Sequence, residues 1–219
     1  MPCVAVVGAS RGIGAEFVRQ YLSDGWEVHA SARRDADLEA LKIAGATAHR
    51  ADVTDETSLA TMAEAIEGAL DLLIINAGVG SRERSLADVD PGNWMRVMTI
   101  NALGPLLAAR TVGIKVRQGG TTVALTSTLG SIADNASGAL WSYRMSKAAL
   151  NMGMSCLAVE LLPRDVKVAV LHPGWVKTDM GGEEAPLSPE ESVAGLRQVI
   201  AGLTKTGGFF DNNGKELPW

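Results

Sequence analysis

Short apolar segments alternate with longer amphipathic segments along the whole chain. The apolar segments predict strands at 3–8, 27–32, 46–50, 71–77, 121–126, 166–171 and 207–211. Patterns with a helical period predict helices at 13–24, 36–44, 55–69, 91–116, 142–162 and 189–203. Several of the strands are almost wholly apolar, which is typical of parallel strands covered on both faces. The alternation therefore predicts a single α/β domain over residues 1–219, with about seven strands in a doubly wound parallel sheet and helices on both faces.

Composition adds little to this fold class but excludes several functions. The 219 residues are 47% hydrophobic and carry a formal net charge of −5, with acidic and basic residues mixed along the chain. That balance argues against nucleic acid or an anionic membrane as a partner. No apolar stretch reaches the roughly 18 residues of a membrane span, and the first residues lack the regions of a signal peptide. We therefore expect a cytoplasmic protein with a small-molecule substrate.

The cysteines and histidines do not form a recognisable metal motif. Cys3 and Cys156 lie far apart in apolar sequence, so we expect buried free thiols and no disulfide. His29 and His49 fall in predicted strands, where packing is the expected role. His172 has no second histidine or cysteine nearby in the sequence. The sequence predicts no metal site.

A glycine-rich turn follows the first predicted strand. The segment GASRGIG carries Gly8, Gly12 and Gly14, and a predicted helix follows it. Glycines at such a turn allow the backbone to approach a pyrophosphate, and the helix N-terminus offers unpaired N–H groups to the phosphates. No Gly-Lys-Ser/Thr follows, which disfavours a nucleoside-triphosphate loop. The turn predicts a dinucleotide site, and the alternative is a purely structural strand-to-helix turn.

The end of the second predicted strand indicates which dinucleotide binds. Ala32 stands where an acid would hydrogen-bond the ribose of NAD, and Arg33 and Arg34 follow it. An arginine in this place pairs with the 2′-phosphate of NADP, and Arg11 of the glycine turn can converge on the same group. NADP(H) is therefore the predicted cofactor. The alternative is that both arginines are solvated residues preceding a helix that an aspartate caps.

A tyrosine and a lysine stand one helical turn apart in the segment SYRMSKAAL. Tyr143 and Lys147 share a helix face at this spacing. An ammonium about 4 Å from a phenol contributes roughly 4 kcal/mol at an effective dielectric near 20, before desolvation subtracts from it. We expect Lys147 to lower the pKa of Tyr143 and to make it a proton donor for carbonyl reduction.

In this order and spacing, the motifs resemble the short-chain dehydrogenase/reductase family over essentially the whole chain. They are GASRGIG, ADVTD, NAG, INALGP, YRMSK and HPGWVKT, and the finer details resemble the C-factor and Sniffer-type carbonyl reductase subgroup. The resemblance implies a Rossmann-type fold. It also implies cofactor contacts at Gly8, Ser10, Arg11, Gly12, Ile13, Gly14, Arg33, Asp52, Val53, Asn76, Ala77, Gly78, Tyr143, Lys147, Pro173, Gly174, Val176 and Thr178.

The same resemblance implies roles in catalysis. Tyr143 is the general acid in reduction and the base in oxidation, and Lys147 also holds the nicotinamide ribose. Asn101 positions a water between Lys147 and solvent, whereas its alternative role is a helix kink or a side-chain-to-backbone bond. Thr178 and the Val176 backbone hold the carboxamide end of the cofactor, although Thr178 could instead cap the loop that follows.

The catalytic serine has two candidates. Ser127 precedes Tyr143 by 16 residues and Ser131 precedes it by 12, whereas the family commonly has about thirteen. Spacing alone does not decide between them. Strand register favours Ser127, because it directly follows an apolar strand and so lies at the carboxyl edge of the sheet. Ser131 then becomes a substrate-loop or supporting residue.

Together these features predict an NADP(H)-dependent carbonyl reductase or alcohol dehydrogenase. The alternative is an NADP(H)-binding signalling protein of C-factor type with little or no turnover. We expect a mobile substrate loop at 178–190, rich in glycine, proline and acidic residues, and a hydrophobic pocket near Trp141 and Trp175. The apolar helices at 91–116 and 142–162 predict a homodimer, alone or within a tetramer.

Overall fold

The computed structural model describes residues 1–219 as a seven-stranded parallel sheet with helices on both faces. The predicted fold class is therefore confirmed. The strand order is β3-β2-β1-β4-β5-β6-β7. The strands are β1 (Cys3–Val7), β2 (Glu27–Ala32), β3 (Thr47–Arg50), β4 (Leu70–Ile75), β5 (Val116–Leu125), β6 (Lys167–His172) and β7 (Gly208–Asp211).

The helices connect successive strands and divide into two layers. They are α1 (Gly12–Ser23), α2 (Asp35–Ile43), α3 (Glu56–Ala65), α4 (Pro91–Met98), α5 (Gly104–Thr111), α6 (Trp141–Glu160) and α7 (Pro189–Ala201). Helices α1, α2 and α7 pack on one face of the sheet, and α3, α5 and α6 pack on the other. A π-helical segment, Thr99–Leu103, joins α4 to α5. The prediction of one continuous helix at 91–116 thus missed a change of helical pitch in its middle.

The packing of both faces of β1 explains why the strand sequences are continuously apolar. Val4 and Val6 point toward Phe17 of α1, whereas Ala5 and Val7 belong to the core on the side of α3 and α6. Both sets are fully buried. Burial on both faces removes the polar positions that an exposed sheet face would show.

One helical stretch differs from the sequence analysis, which expected no segment apolar and long enough to span a membrane. The helical stretch Pro91–Lys115 is long and apolar enough to cross a membrane by length and composition, with a mean hydropathy of 1.4, so the expectation that no such stretch exists was wrong. Half of that window is buried inside the protein, where Val97, Ala108 and Val112 are fully enclosed. Its apolar character therefore serves the helical layer that covers the sheet.

The sheet topology fixes where a ligand can bind. The chain runs outward from β1 to β3, then returns to place β4 on the other side of β1. The connections diverge at this reversal and leave a crevice beyond the carboxyl ends of β1 and β4. Gly8 and Asn76 each stand just past the end of one of these strands.

Candidate active site

A groove of about 500 Å³ extends along the carboxyl ends of the central strands. Most of the predicted cofactor residues line it. They are Gly8, Ser10, Arg11, Gly12, Ile13, Arg33, Asp52, Val53, Asn76, Ala77, Gly78, Tyr143, Lys147, Pro173 and Thr178. Three predicted residues lie elsewhere: Gly14 packs beneath the turn, and Gly174 and Val176 line an adjoining cavity.

The glycine turn is shaped so that only glycine fits at its key positions. A Cβ on Gly14 would lie 2.2 Å from the carbonyl oxygen of Gly8. Gly8 has φ +89°, and its Cβ would meet the Ala77 backbone nitrogen at 2.7 Å. The Asn76 Nδ2 donates to the Gly8 oxygen at 2.6 Å, which braces the turn against the end of β4. The turn therefore presents its backbone, without side chains at Gly8 and Gly14, to the groove.

Helix α1 begins directly behind this bare turn. Its N-cap residue, Arg11, makes no side-chain capping bond, and the first turn contains no acidic residue. The first N–H groups of the helix therefore remain available for an anion, with the positive end of the helix dipole behind them. These features fit a dinucleotide pyrophosphate.

The arginines after β2 have different surroundings. Arg33 lines the groove with a side chain that is 71% exposed, and its Nη1 lies 3.3 Å from Asp52 Oδ2. Arg34 makes two hydrogen bonds to Asp37, both at 2.7 Å, and is absent from the groove lining. Arg34 itself is the N-cap of α2, so the alternative in which an aspartate caps this helix does not occur. Of the two arginines, only Arg33 lines the groove.

Lys147 is enclosed at the inner end of the groove. It is 4% exposed, and its Nζ donates to the carbonyl oxygen of Leu125 at 2.8 Å. Burial lowers the pKa of this ammonium from its usual 10.5 to about 8. Its Nζ lies 5.8 Å from the centre of the Tyr143 ring.

Tyr143 differs from the sequence expectation in the direction of its pKa. Burial raises the pKa of the phenol above its usual value, and hydrogen bonding with Ser127 opposes that rise only in part. Lys147 was expected to lower the pKa, but its Nζ is directed to the Leu125 carbonyl. Desolvation is therefore the main influence on the phenol, and the lowering by Lys147 that the sequence suggested is not found.

The two candidate serines have different contacts. Ser127 follows β5, is nearly buried and lines the adjoining cavity together with Tyr143. Ser131 donates to the backbone oxygen of Trp219 at 3.0 Å and accepts from the Asp134 N–H at 3.0 Å, and it lines neither cavity. The structure thus brings Ser127 to the phenol and leaves Ser131 as a brace for the C-terminus.

Asn101 lies fully buried in the π-helical segment. Its Oδ1 accepts from the Val79 N–H at 2.8 Å, and its Nδ2 donates to the Val79 oxygen at 2.8 Å and to Ser146 Oγ at 3.0 Å. π-Helical turns are frequent at functional sites because they reorient one residue of a helix. These contacts correspond to the side-chain-to-backbone alternative, since every polar atom of the side chain already has a protein partner.

A second cavity of about 530 Å³ opens beside the groove and shares Tyr143 with it. Its walls are largely apolar and include Leu129, Leu140 and Trp175, whereas Trp141 is outside the lining. His172 also lines this cavity: burial lowers the pKa of its imidazole to about 4, and its Nδ1 has no hydrogen-bond partner. His172 is thus a neutral residue of the cavity wall whose Nδ1 is buried.

The segment 178–190 lies over the point where the two cavities meet. Thr178 accepts from the Gly181 N–H at 3.2 Å, and Met180 lines both cavities. Asp179 pairs with Arg11 across the mouth of the groove at 2.7 Å. The segment is therefore placed to contact a substrate, and its mobility stays a prediction.

Sequence reasoning missed a buried carboxylate that holds the start of α6. Glu83 is 5% exposed, accepts a short hydrogen bond from Ser142 Oγ and accepts the Leu140 N–H through its backbone oxygen at 2.7 Å. Ser142 precedes Tyr143 directly, so this contact helps to orient the phenol. Glu83 lies in a charged stretch, SRERSL, that gave no signal for burial.

Comparisons with known proteins identify the family. Residues 2–187 match the family described as short chain dehydrogenase. The chain belongs to this family. It is 46% identical to C-signal of Myxococcus xanthus over 156 residues, which are 69% of this chain and 94% of that protein.

Two solved structures match the fold over the full chain. The carbonyl reductase Sniffer of D. melanogaster superposes with a TM-score of 0.93 at 27% identity, covering 100% of both chains. The NADPH-bound carbonyl reductase from chicken fatty liver superposes with a TM-score of 0.92 at 31% identity, covering 100% of this chain and 99% of that one. This short-chain dehydrogenase is therefore of the C-factor and Sniffer type, as its motifs predicted.

Proposed function

We propose that this short-chain dehydrogenase is an NADP(H)-dependent oxidoreductase that reduces a carbonyl to an alcohol, with Tyr143 as the general acid. The observation that carries the proposal is that Ser127 and Tyr143 line the apolar cavity together, at the point where Tyr143 also lines the groove. The NADPH bound to a similar carbonyl reductase supports the cofactor assignment. The apolar walls of the second cavity suit a small or medium ketone, aldehyde or quinone.

In this proposal, residues of the apolar cavity act on the carbonyl and residues of the groove bind the cofactor. Bound NADPH would supply a hydride to the carbonyl carbon. Ser127 donates a hydrogen bond to the carbonyl oxygen and stabilises the negative charge that develops on it. Tyr143 gives that oxygen a proton, and the phenol is reprotonated from solvent. Lys147 places its charge beside the nicotinamide ribose, and the bare glycine turn holds the pyrophosphate.

The two serines provide the test of this function. NADPH consumption is followed spectrophotometrically with a panel of apolar ketones, aldehydes and quinones for the wild type, Ser127→Ala and Ser131→Ala. Loss of one donor to a developing oxyanion costs about 10²–10³-fold in kcat, so Ser127→Ala is expected to lose that much. Ser131→Ala, which removes a hydroxyl from the neighbouring loop, is the matched control. Absence of turnover by the wild type across the panel would refute the enzymatic function.

Cofactor choice is expected to depend on Arg33. Arg33→Ala should raise the Kd for NADPH by about 10–100-fold and leave the Kd for NADH nearly unchanged, because a charge-assisted bond to the 2′-phosphate contributes about 1.5–3 kcal/mol. Fluorescence titration measures both constants. Arg34→Ala is the matched control, since Arg34 is engaged by Asp37. Equal effects of the two variants would contradict the assignment.

The likeness to C-signal favours a second function, an NADP(H)-binding signalling protein with little turnover. Such a protein needs the glycine turn but not the Ser127 and Tyr143 pair. The chain keeps both, and so reduction is the first proposal. NADPH binding without any turnover would favour the second.

The outer face of α4–α6 supports a homodimer. Met95, Leu103, Met152 and Val159 are each exposed by half or more on this layer. Light scattering is expected to give about twice the 22.9 kDa chain mass, and Met152→Glu should reduce it to one chain. Ile43→Glu, at an exposed apolar position on α2, is the control that leaves the mass unchanged. A single-chain mass for the wild type at high concentration would contradict the dimer.

A further inference from the structure

Four polar side chains lie close together on one face of the sheet. Cys3, Glu27 and His29 stand toward the amino-terminal ends of β1 and β2, away from the groove, and His49 of β3 lies beside His29. Strand register pairs Cys3 with Glu27 and His29 with Thr47. Because side chains alternate between the faces of a sheet, Cys3, Glu27, His29 and His49 all point to the same face. Three of the four, Cys3, His29 and His49, are buried.

Three of these side chains place their donor atoms around one point. The Cys3 Sγ, a Glu27 carboxylate oxygen and a His29 ring nitrogen all lie within 4.8 Å of one another. The distance from His29 Nε2 to Glu27 Oε1 is 3.3 Å. Tetrahedral zinc with bonds of about 2.0–2.1 Å separates a nitrogen from an oxygen ligand by about 3.4 Å, which the observed pair already matches.

His49 supports the imidazole ring of His29. His29 Nδ1 lies 2.8 Å from His49 Nε2, and the two rings stack with centres 5.1 Å apart. A metal-bound histidine usually donates its other ring N–H to a neighbouring acceptor, which fixes both tautomer and orientation. With Nε2 on a metal, His29 can donate Nδ1–H to His49.

A neighbouring acid is already committed to other partners. Asp71 accepts the Cys3 N–H at 2.8 Å and pairs with Arg117 at 2.6 Å. It therefore adds negative potential beside the cluster without being a ligand. The Glu27 side chain is 44% exposed, so an ion and a water can reach the site from this side.

We propose that Cys3, Glu27 and His29 bind a divalent zinc ion, with His49 holding the His29 ring and a water completing the tetrahedron. On binding, the Cys3 thiol transfers its proton to solvent, and no redox change occurs. The ion joins β1 to β2 far from Tyr143, so its role is structural and independent of the proposed reaction. A thiolate, an imidazole and a carboxylate form a donor set that zinc favours.

Cobalt titration of the purified, chelator-stripped chain tests the site. Co²⁺ bound to a thiolate gives a near-ultraviolet charge-transfer band, and we expect it to saturate at one ion per chain and to disappear when Zn²⁺ is added. Cys3→Ser should abolish the band. Cys156→Ser, which removes the only other thiol, should keep it.

Two further variants keep the test decisive if Cys3→Ser does not fold, as judged by circular dichroism. Glu27→Gln and His49→Leu should each weaken Co²⁺ binding by about 10–100-fold, the first by loss of a ligand and the second by loss of ring support. No band in the wild type at excess Co²⁺ would overturn the proposal. So would a band that survives Cys3→Ser, is lost in Cys156→Ser, or is unaffected by Glu27→Gln.

Discussion

Tyr143→Phe is expected to lower kcat/KM for carbonyl reduction by about 10³-fold while leaving the Kd for NADPH within about threefold. The substitution removes the one hydroxyl that can protonate the developing alkoxide and keeps the ring that packs between the groove and the apolar cavity. Steady-state kinetics with the best carbonyl of the panel, together with NADPH titration, measures the two effects separately.

Tyr21→Phe is the matched control for this variant. Tyr21 is the only other tyrosine, lies buried in α1 and packs against Trp26 and Arg197, away from either cavity. Its variant should keep wild-type kcat/KM. A Tyr143→Phe enzyme that retains more than about a tenth of the wild-type kcat/KM would show that another group supplies the proton.

Burial sets the direction of the Tyr143 pKa. A phenol that keeps its proton can act as an acid, whereas a base for alcohol oxidation must first lose that proton. The direction of the shift follows from burial and not from the lysine charge that the sequence suggested.

The sequence was most informative where function depends on local geometry. The glycine turn, the arginines after β2 and the Tyr143–Lys147 pair lie on short segments whose spacing determines their arrangement. Strand-end position was also informative, because an apolar run that stops before Ser127 places that residue at the carboxyl edge. These features depend on residues that are close together in the sequence, so they could be predicted from it.

Features that depend on contacts between distant segments could not be predicted. Glu83 meets Ser142 across 59 residues, and nothing near it in sequence signals burial. The cluster of Cys3, Glu27 and His29 forms through the register of β1 and β2, whereas the sequence suggested only packing for His29 and His49. The direction of the Tyr143 pKa depends on burial of the phenol and on its hydrogen bonding with Ser127, neither of which follows from the spacing of Tyr143 and Lys147.

The Lys147 ammonium is expected to limit the reaction at high pH. Burial lowers its pKa from 10.5 to about 8, so the charge is present below pH 8 and is lost as the pH rises through that value. The plot of kcat/KM for NADPH at saturating carbonyl reports the free enzyme and should fall on its alkaline side near pH 8. Lys147→Met should lower kcat/KM by about 10²–10³-fold at neutral pH, because the charge beside the phenol and the ribose is gone.

The shape of the pH profile distinguishes a catalytic charge from a merely structural one. If the ammonium assists proton transfer, the Lys147→Met profile loses the limb near pH 8, because no group with that pKa remains in the pair. Lys167→Met, at the start of β6 and at the opposite edge of the sheet, should keep both the rate and the limb. A limb near pH 8 that persists in Lys147→Met would assign the titration to another group, and Lys147 would then serve only to hold the Leu125 carbonyl and the end of β5.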